Sequence, residues 1–533
     1  MAIIGPNQPK NKYPAGQPGQ VHPQGVPPRP AQGVPPRPPQ GNPPQPAQGI
    51  PPRPAPGTPP QPPRPVPGTP PHPPQGAPVR PPHGTTPVSG GKVERSQRDS
   101  VLFGDTLQQE APIIADANPV IYFKGKDNRG VHHNIPISNS LLSRHFMLLG
   151  GIGTGKTDMF FQMMSQLNRT LTENDVMIIF DTKGDFYKEF YKPGDVVISN
   201  DETAIGPDGK PDYWNIFNEV ADGEQQYASV MEIAKSLFQE ACEKTNQVFF
   251  PNAARDIFMS TMLHFLRYCQ SSGNTKFLNN GTLIDFIKSK TSKDFRDMLN
   301  SYKDMRAMTS YISNDESPQT QGVMSEMQQI VRDIFVGNFA KKGTLGLRNL
   351  VRQKGGRKIF IEYDLSYGEL LTPIYSLMFD MAIKEALGRG RSEGNVYFIT
   401  DEFRLLPNLK HVDDAVNFGR SLGIRFMIGI QNVEQIYDNY GEERAHSIMS
   451  GFLTSINFRV NDPKSREFIK EKFGRNRKIE VYATTVQSKG MVEERRDGYV
   501  VEDWDLTNLK IGQAIVGFPD REPFVFQFDL WDL

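Results

Sequence analysis

The chain has 533 residues, and its 60 lysines and arginines balance its 60 aspartates and glutamates, so the formal net charge is +0. This length allows two or more packed units, because domains hold roughly 100–200 residues each. The 2 cysteines are too few for a disulfide framework, and they fit a reducing compartment. We find no secretory leader pattern and no apolar run near the ~18–20 residues that span a bilayer. The sequence therefore predicts a soluble, cytoplasmic protein.

Residues 1–100 form a proline- and glycine-rich segment of low complexity. Of the 46 prolines, 33 precede residue 91, and units such as GVPPRPAQ open every eight residues at Gly25, Gly33, Gly41, Gly49 and Gly57. Proline fixes φ and supplies no amide donor, and the segment has few apolar side chains to bury. The pattern therefore predicts a disordered arm of polyproline II units. Its P-x-x-P units suit the aromatic-lined groove of a polyproline-binding partner, and a plain spacer is an equally open alternative.

Charge is distributed unevenly between this arm and the rest of the chain. The arm holds ten lysines and arginines against Glu94 and Asp99, so it carries about +8 and the remainder about −8. A mildly acidic body gives no direct sign of a nucleic-acid surface. It does not exclude one, because a ring-shaped motor needs positive charge only along its channel.

After the arm, strands and helices alternate over residues 101–220. Residues 118–137 predict a small β-hairpin, 145–149 a short strand, 155–169 a helix and 176–180 (VMIIF) a second buried strand, with a third at 196–199. Strands that alternate with helices at this spacing indicate a parallel sheet with helices on its faces.

The pattern changes over residues 221–346, where long amphipathic stretches replace the strands. We interpret this region as an all-α domain inserted into the nucleotide-binding domain, whose second part occupies 347–533. Strands are expected in that second part at 358–363, 396–400, 424–430, 455–460 and 513–518, and helices at 373–387 and 412–422. The fold class is therefore α/β with a mainly parallel sheet.

A phosphate-binding loop follows the first predicted strand and precedes a helix. It fits the pattern G-x-x-x-x-G-K-[ST] and consists of Gly150, Gly151, Ile152, Gly153, Thr154, Gly155, Lys156 and Thr157. The glycines let successive N–H groups point at phosphate oxygens, and the helix adds its positive end. Lys156 would reach the β- and γ-phosphates, and the Thr157 hydroxyl would ligate Mg²⁺. The sequence thus predicts a site for ATP and Mg²⁺.

Further candidate site residues follow the other strands. Asp401 and Glu402 come directly after the strand at 396–400, so Asp401 is expected to hold Mg²⁺ and Glu402 to act as general base on the attacking water. Gln431 follows the strand at 424–430 and is a candidate sensor of the γ-phosphate, although an exposed polar residue at a strand end is the alternative. Asp181 and Lys183 end another strand, and a solvated loop explains them equally well.

Arg420 lies on the helix just before the strand at 424–430. We expect it near the edge of its own nucleotide site, where an arginine can face an adjoining subunit. On the residues alone, a surface arginine is the stronger alternative.

Seven blocks of this sequence, in order, resemble the conjugative coupling proteins of type IV secretion, specifically the TraD/TrwB branch. The resemblance covers about residues 118–530 and includes HFMLLGGIGTGKT, DTKGDFYKEFYKPGDVVISN with PDYWNIFNE, FFPNAARDIF, TDEFRLLPNL, NFGRSLGIRFMIGIQN, INFRVNDPKSREFIKEKFG and LKIGQAIVGFPDREPFVF. It implies a RecA-like α/β ATPase with an all-α insertion that assembles as a homo-hexamer. It also implies catalytic roles for Asp401, Glu402, Gln431 and, acting on a neighbouring subunit, Arg420.

The resemblance implies that the protein uses ATP to recruit relaxase-bound DNA and to move it toward the components of a secretion channel. The family usually carries two N-terminal transmembrane helices, and the proline-rich arm stands in their place here. Recruitment to the inner face of the membrane would then depend on partners. Three alternatives stay open: an ATPase for protein cargo, an interaction scaffold in which the arm is the active part, and a DNA translocase of the related HerA/FtsK type outside secretion.

Overall fold

The computed structural model describes residues 100–116, 118–388, 394–483 and 491–531. The predicted arm lies outside these residues. The strands are β1 (Ser100–Phe103), β2 (Ile121–Asp127), β3 (His132–Ile137), β4 (Phe146–Leu149), β5 (Val176–Asp181), β6 (Val196–Ile198), β7 (Arg357–Glu362), β8 (Val396–Thr400), β9 (Ile424–Ile430), β10 (Thr454–Asn457), β11 (Arg475–Ala483), β12 (Met491–Tyr499), β13 (Gln513–Gly517) and β14 (Phe524–Phe528).

The helices flank and interrupt these strands. They are α1 (Asn139–Leu142), α2 (Lys156–Thr170), α3 (Asp185–Phe190), α4 (Gln226–Leu237), α5 (Gln239–Glu243), α6 (Phe249–Ser272), α7 (Asn280–Ser289), α8 (Ser292–Asn300), α9 (Pro318–Ile334), α10 (Leu347–Gln353), α11 (Gly368–Leu387), α12 (Val412–Phe418), α13 (Glu434–Tyr440), α14 (Glu442–Gly451), α15 (Pro463–Phe473) and α16 (Asp503–Thr507). Within the described ranges, no helix combines the length and apolar character needed to cross a membrane.

An 11-stranded sheet organises the protein, in the order β3-β2-β14-β13-β10-β4-β9-β8-β5-β7-β6. The seven strands from β10 to β6 run parallel to one another. The four strands from β3 to β13 add an antiparallel extension. The mixed α/β fold with a mainly parallel sheet is therefore confirmed, as is the hairpin of β2 and β3.

Both faces of the parallel strands are buried. Successive side chains of a strand point to opposite faces of the sheet, so each strand contributes to two cores. In β4, Phe146 and Leu148 join the core beneath α2 and α3, whereas Met147 and Leu149 join the core beneath α11 and the inserted helices. All four side chains are fully buried. Complete burial of such a side chain contributes about 1.5–3 kcal/mol, so these runs fix the strand in the middle of the sheet.

Between β6 and β7, which the structure describes without a gap, the regular elements are helices and 3₁₀ turns. Phe258 of α6 and Met327 of α9 share one continuous core with Phe379 of α11. The insertion is therefore all-α, as expected. The predicted domain limits (1–100, 101–220, 221–346 and 347–533) stay predictions, because no break in this core marks them.

One expectation about elements was wrong, and one sheet was missed. The helix expected at 412–422 is split, since α12 ends at Phe418 and a 3₁₀ turn, Gly419–Leu422, leads into Gly423 with φ of +82°. A second sheet of three strands, β1-β11-β12, was not expected at all. β11 (RNRKIEVYA) and β12 (MVEERRDGY) are rich in charged residues, and an ion pair between Arg477 Nε and Asp497 Oδ1 at 2.7 Å joins them.

Candidate nucleotide site

The phosphate loop connects β4 to α2, and three of its four glycines are required by backbone shape or by close neighbours. Gly153 and Gly155 have φ of +69° and +106°, in the left-handed region that favours glycine. A Cβ on Gly155 would also lie 2.9 Å from the Cα of Gly512, and one on Gly150 would lie 2.6 Å from the Cβ of Phe458. Side chains at these positions would force the loop open.

Segments that are distant in sequence hold the loop in place. The N–H of Gly151 donates to the carbonyl of Arg459 at 3.0 Å, and the N–H of Gly512 donates to the carbonyl of Thr154 at 2.9 Å. The Thr154 hydroxyl donates to the Gly151 carbonyl at 2.8 Å. The sequence reasoning missed the supporting role of Arg459 and Gly512, and no local pattern could have indicated it, because these contacts cross more than 300 residues of chain.

The Lys156 ammonium lies inside the curve of the loop. Its Nζ donates to the carbonyls of Gly150 and Gly151, the latter at 3.0 Å. Burial lowers the pKa of Lys156 to about 8, while the nearby charges of Glu402 and Asp401 oppose that shift. A partly desolvated ammonium among backbone dipoles is poised to bind an anion, because it has little water to lose.

The remaining candidates converge because four neighbouring parallel strands end at the same edge of the sheet. β4 leads into the loop, β9 into Gln431, β8 into Asp401 and Glu402, and β5 into Thr182. Ligands of open α/β sheets bind in the crevice outside these carboxyl ends. The structure thus brings Gln431, Asp401 and Glu402 together beside Lys156.

Asp401 is a half-buried carboxylate with other acidic groups nearby. The Thr182 hydroxyl donates to its Oδ1 at 3.1 Å. Burial, with smaller contributions from the charges of Asp181 and Glu402, raises the pKa of Asp401 to about 6. Asp181 turns instead to the backbone, where its carboxylate accepts the N–H of Tyr187 at 2.8 Å. Because a bound cation would stabilise its negative charge, the Asp401 carboxylate is suited to be a hard oxygen ligand of a metal ion.

Glu402 has a partner at each carboxylate oxygen. Gln431 Nε2 donates to Oε2, and Arg404 Nε donates to Oε1 at 3.0 Å. Arg404 was missed by the sequence reasoning. The available signal was its position two residues after Glu402, at a strand end where side chains converge. Lys183 is exposed beside this group, and its charge acts on the pKa values of Lys156 and Asp401.

Arg420 is not part of this group, so the expectation that it lies near its own site was wrong. It lies in the 3₁₀ turn before β9, and Gln431 follows β9. Seven residues of strand separate the two, which is roughly 23 Å at about 3.3 Å per residue. Arg420 is exposed at the amino end of the parallel strands. Any action on a nucleotide would have to be on another copy of the chain.

The residues present fit a nucleotide with a divalent cation. The loop is a cradle that side chains would fill, and Lys156 faces into it. Thr157 is half-buried in the first turn of α2, and its hydroxyl is a hard oxygen donor, as is the Asp401 carboxylate. Together these features define a P-loop nucleotide-binding protein of the α/β class.

Comparison with known proteins narrows this class to a family. Residues 129–526 match the family model described as the type IV secretion-system coupling protein DNA-binding domain. The chain belongs to this family. It is 23% identical over 455 residues to coupling protein TraD of Escherichia coli (strain K12). This alignment covers 82% of this chain and 58% of TraD. The chain therefore spans little more than half the length of that protein.

Solved structures of the bacterial conjugative coupling protein TrwB share the fold. An unbound form is 21% identical with a TM-score of 0.61, covering 75% of this chain and 88% of that one. TrwB in complex with the non-hydrolysable ATP analogue ADPNP is 19% identical with a TM-score of 0.62, covering 83% and 96%. TrwB in complex with ADP and Mg²⁺ is 20% identical with a TM-score of 0.58, covering 75% and 88%. The RecA-like fold of a coupling protein is thereby confirmed.

Proposed function

We propose that this chain is the ATP-driven motor of a type IV secretion or conjugation system, which recruits relaxase-bound DNA and moves it toward the secretion channel. One observation supports this most: the phosphate loop, Asp401, Glu402 and Gln431 meet at one edge of the sheet in a member of the coupling-protein family. The complexes of TrwB with an ATP analogue and with ADP and Mg²⁺ support ATP and Mg²⁺ as the ligands.

The chain's own groups supply the steps of ATP hydrolysis. The loop N–H groups and Lys156 hold the β- and γ-phosphates, and the oxygens of Thr157 and Asp401 hold the cation. Mg²⁺, when bound, neutralises charge on the phosphates. Glu402 accepts the proton of the attacking water, and Gln431 orients it toward the γ-phosphate.

The proposed assembly is a homo-hexamer in which Arg420 of one copy serves the nucleotide site of the next. This arrangement suits the position of Arg420 at the opposite end of the parallel strands from its own loop. A site at one end and its complement at the other produce a head-to-tail contact, and such contacts form a ring when the rotation between successive copies closes.

The proposed partners follow from the same family membership. They are DNA in single- or double-stranded form, the relaxase and its complex, and components of the secretion channel. A polyproline-binding partner of residues 1–100 would recruit the protein to the inner face of the membrane.

ATP turnover with and without DNA tests the proposal. We expect basal hydrolysis that single- or double-stranded DNA stimulates. Lys156→Ala should abolish it, because the charge that holds the γ-phosphate is lost. Lys192→Ala is the matched control, because Lys192 is an exposed lysine in the turn after α3. ATP turnover that DNA does not change and that a secreted protein raises would favour protein cargo instead. Turnover in Lys156→Ala at the parent rate would contradict the phosphate-loop assignment.

A further inference from the structure

A second group of chemically reactive side chains lies away from the nucleotide site, where the inserted helices meet the sheet-bearing part of the fold. It consists of Glu232 on α4, Asp380 on α11 and His411, the residue just before α12. One ligand atom from each lies within 4.8 Å of the other two. Three separate elements thus direct a nitrogen and two carboxylates to one point.

The group is largely enclosed, and one of its oxygens has no partner. His411 Nε2 lies 2.5 Å from Glu232 Oε1, and the backbone N–H of His411 donates to Asp380 Oδ1 at 2.9 Å. Asp380 is only 2% exposed, and among the residues described its Oδ2 makes no hydrogen bond. A buried carboxylate oxygen left unpaired is costly, so this oxygen is expected to have a ligand.

The donor set selects the kind of ligand. One imidazole nitrogen with two carboxylate oxygens suits Zn²⁺, which takes nitrogen and oxygen ligands at about 2.0–2.2 Å and leaves a fourth position open. Mg²⁺ and Ca²⁺ prefer oxygen ligands alone. The Lys384 ammonium contacts the other oxygen of Glu232 and so holds that carboxylate in its orientation.

We propose that Glu232, Asp380 and His411 form a zinc site that ties helix α4 of the insertion to α11 and to the start of α12. The site is distinct from the nucleotide site, and it does not depend on the proposed function. The alternative without a metal is an ion-pair cluster in which protonated His411 and Lys384 both contact Glu232. The two interpretations differ in whether the protein binds zinc.

Calorimetric titration of the full chain with zinc chloride decides between them. The protein is stripped with a chelator and dialysed into a buffer containing excess Mg²⁺, so that the nucleotide site does not compete. We expect one zinc ion per chain, a higher melting temperature with zinc, and no such rise with additional Mg²⁺. Changing a residue that only supports a metal ligand weakens metal binding by about 10–100-fold. Glu232→Gln and His411→Gln remove ligands themselves, so each should weaken zinc binding by more than this.

His446→Gln is the matched control, because His446 is exposed on α14 and pairs with the hydroxyl of Tyr437. This variant should bind zinc like the parent. Each variant is first melted in chelator; if Glu232→Gln has lost its fold, His411→Gln alone decides. No zinc uptake by the parent, or equal affinity in the parent and in His411→Gln, would overturn the proposal and leave an ion-pair cluster.

Discussion

Gln431 donates a hydrogen bond from its side-chain amide to Oε2 of Glu402, and this bond joins the ends of the adjacent strands β9 and β8. Arg404 occupies the other carboxylate oxygen at 3.0 Å. Each carboxylate oxygen has a further lone pair, so Glu402 can still accept a proton from water while these two bonds hold its orientation. Gln431 is the partner whose other expected contact is the γ-phosphate, so it can couple nucleotide binding to the orientation of the base.

Gln431→Ala should therefore lower ATP turnover by about 10²-fold, the usual effect of removing one oriented hydrogen-bond donor from a reacting centre. ATP affinity should change little, because the phosphate loop is intact. Turnover and nucleotide binding are measured side by side, with Gln321→Ala on an exposed part of α9 as control. A variant that hydrolyses ATP as fast as the parent would exclude the sensor role.

Glu402→Gln should separate binding from hydrolysis. The amide keeps the size of the side chain but cannot accept the proton, so turnover should fall by roughly 10²–10⁴-fold while ATP still binds. The checks are a fluorescent-nucleotide titration and a phosphate-release assay. Retained turnover would assign the base to a different residue.

Asp401→Asn should stabilise the nucleotide-free protein while removing its activity. Burial raises the pKa of Asp401 from 3.8 to about 6. The folded state thus binds this proton more tightly than the unfolded state does, so the ionised carboxylate lowers the free energy of unfolding. This loss of stability is absent below pH 3.8, grows as the pH rises, and is complete above about pH 6. The variant should gain about 1–3 kcal/mol at pH 8 and much less at low pH.

Thermal melts of parent and Asp401→Asn at pH 8 and pH 5 measure this difference. The gain should be larger at pH 8. For the parent, Mg²⁺-dependent nucleotide binding should weaken as the pH falls below about 6, because the protonated carboxyl cannot hold the cation. A variant that melts lower than the parent at pH 8 would contradict the electrostatic account.

Arg420→Ala tests whether the arginine serves a neighbouring copy. ATP affinity should persist, and most DNA-stimulated hydrolysis should be lost, since trans-acting arginines contribute about 10³–10⁵ in turnover. Mixing Arg420→Ala with Lys156→Ala chains should restore part of the activity, because an intact loop can then meet an intact arginine. No recovery in chains that co-assemble, verified by native mass, would leave Arg420 as a surface residue.

The sequence predicted the parts of the site that follow from local order. The loop, Asp401, Glu402 and Gln431 each come directly after a run of buried apolar residues, and parallel strands deliver their ends to one edge. The sequence analysis misplaced Arg420 because a residue before a strand lies at the opposite end of that strand from a residue after it. The distance between Arg420 and Gln431 depends on the length of β9, which the motif does not specify.

What could not be predicted depends on contacts between distant segments. β10 pairs with β4 across about three hundred residues, and this pairing brings Phe458 against Gly150. The sheet of β1, β11 and β12 was missed because β11 and β12 are rich in charged residues and their sequences show no regular apolar period of two. Arg404 lies two residues after Glu402 in the sequence, but only the fold places its Nε 3.0 Å from a Glu402 oxygen.

Displacement of the third strand from a DNA triplex tests the central claim, ATP-driven movement along DNA, most directly. The parent protein should release the strand with ATP and not with a non-hydrolysable analogue. Glu402→Gln should bind both DNA and ATP and release nothing, because its hydrolysis step is blocked. ATP turnover by the parent without any strand release, or release that is equal with and without ATP, would contradict the account.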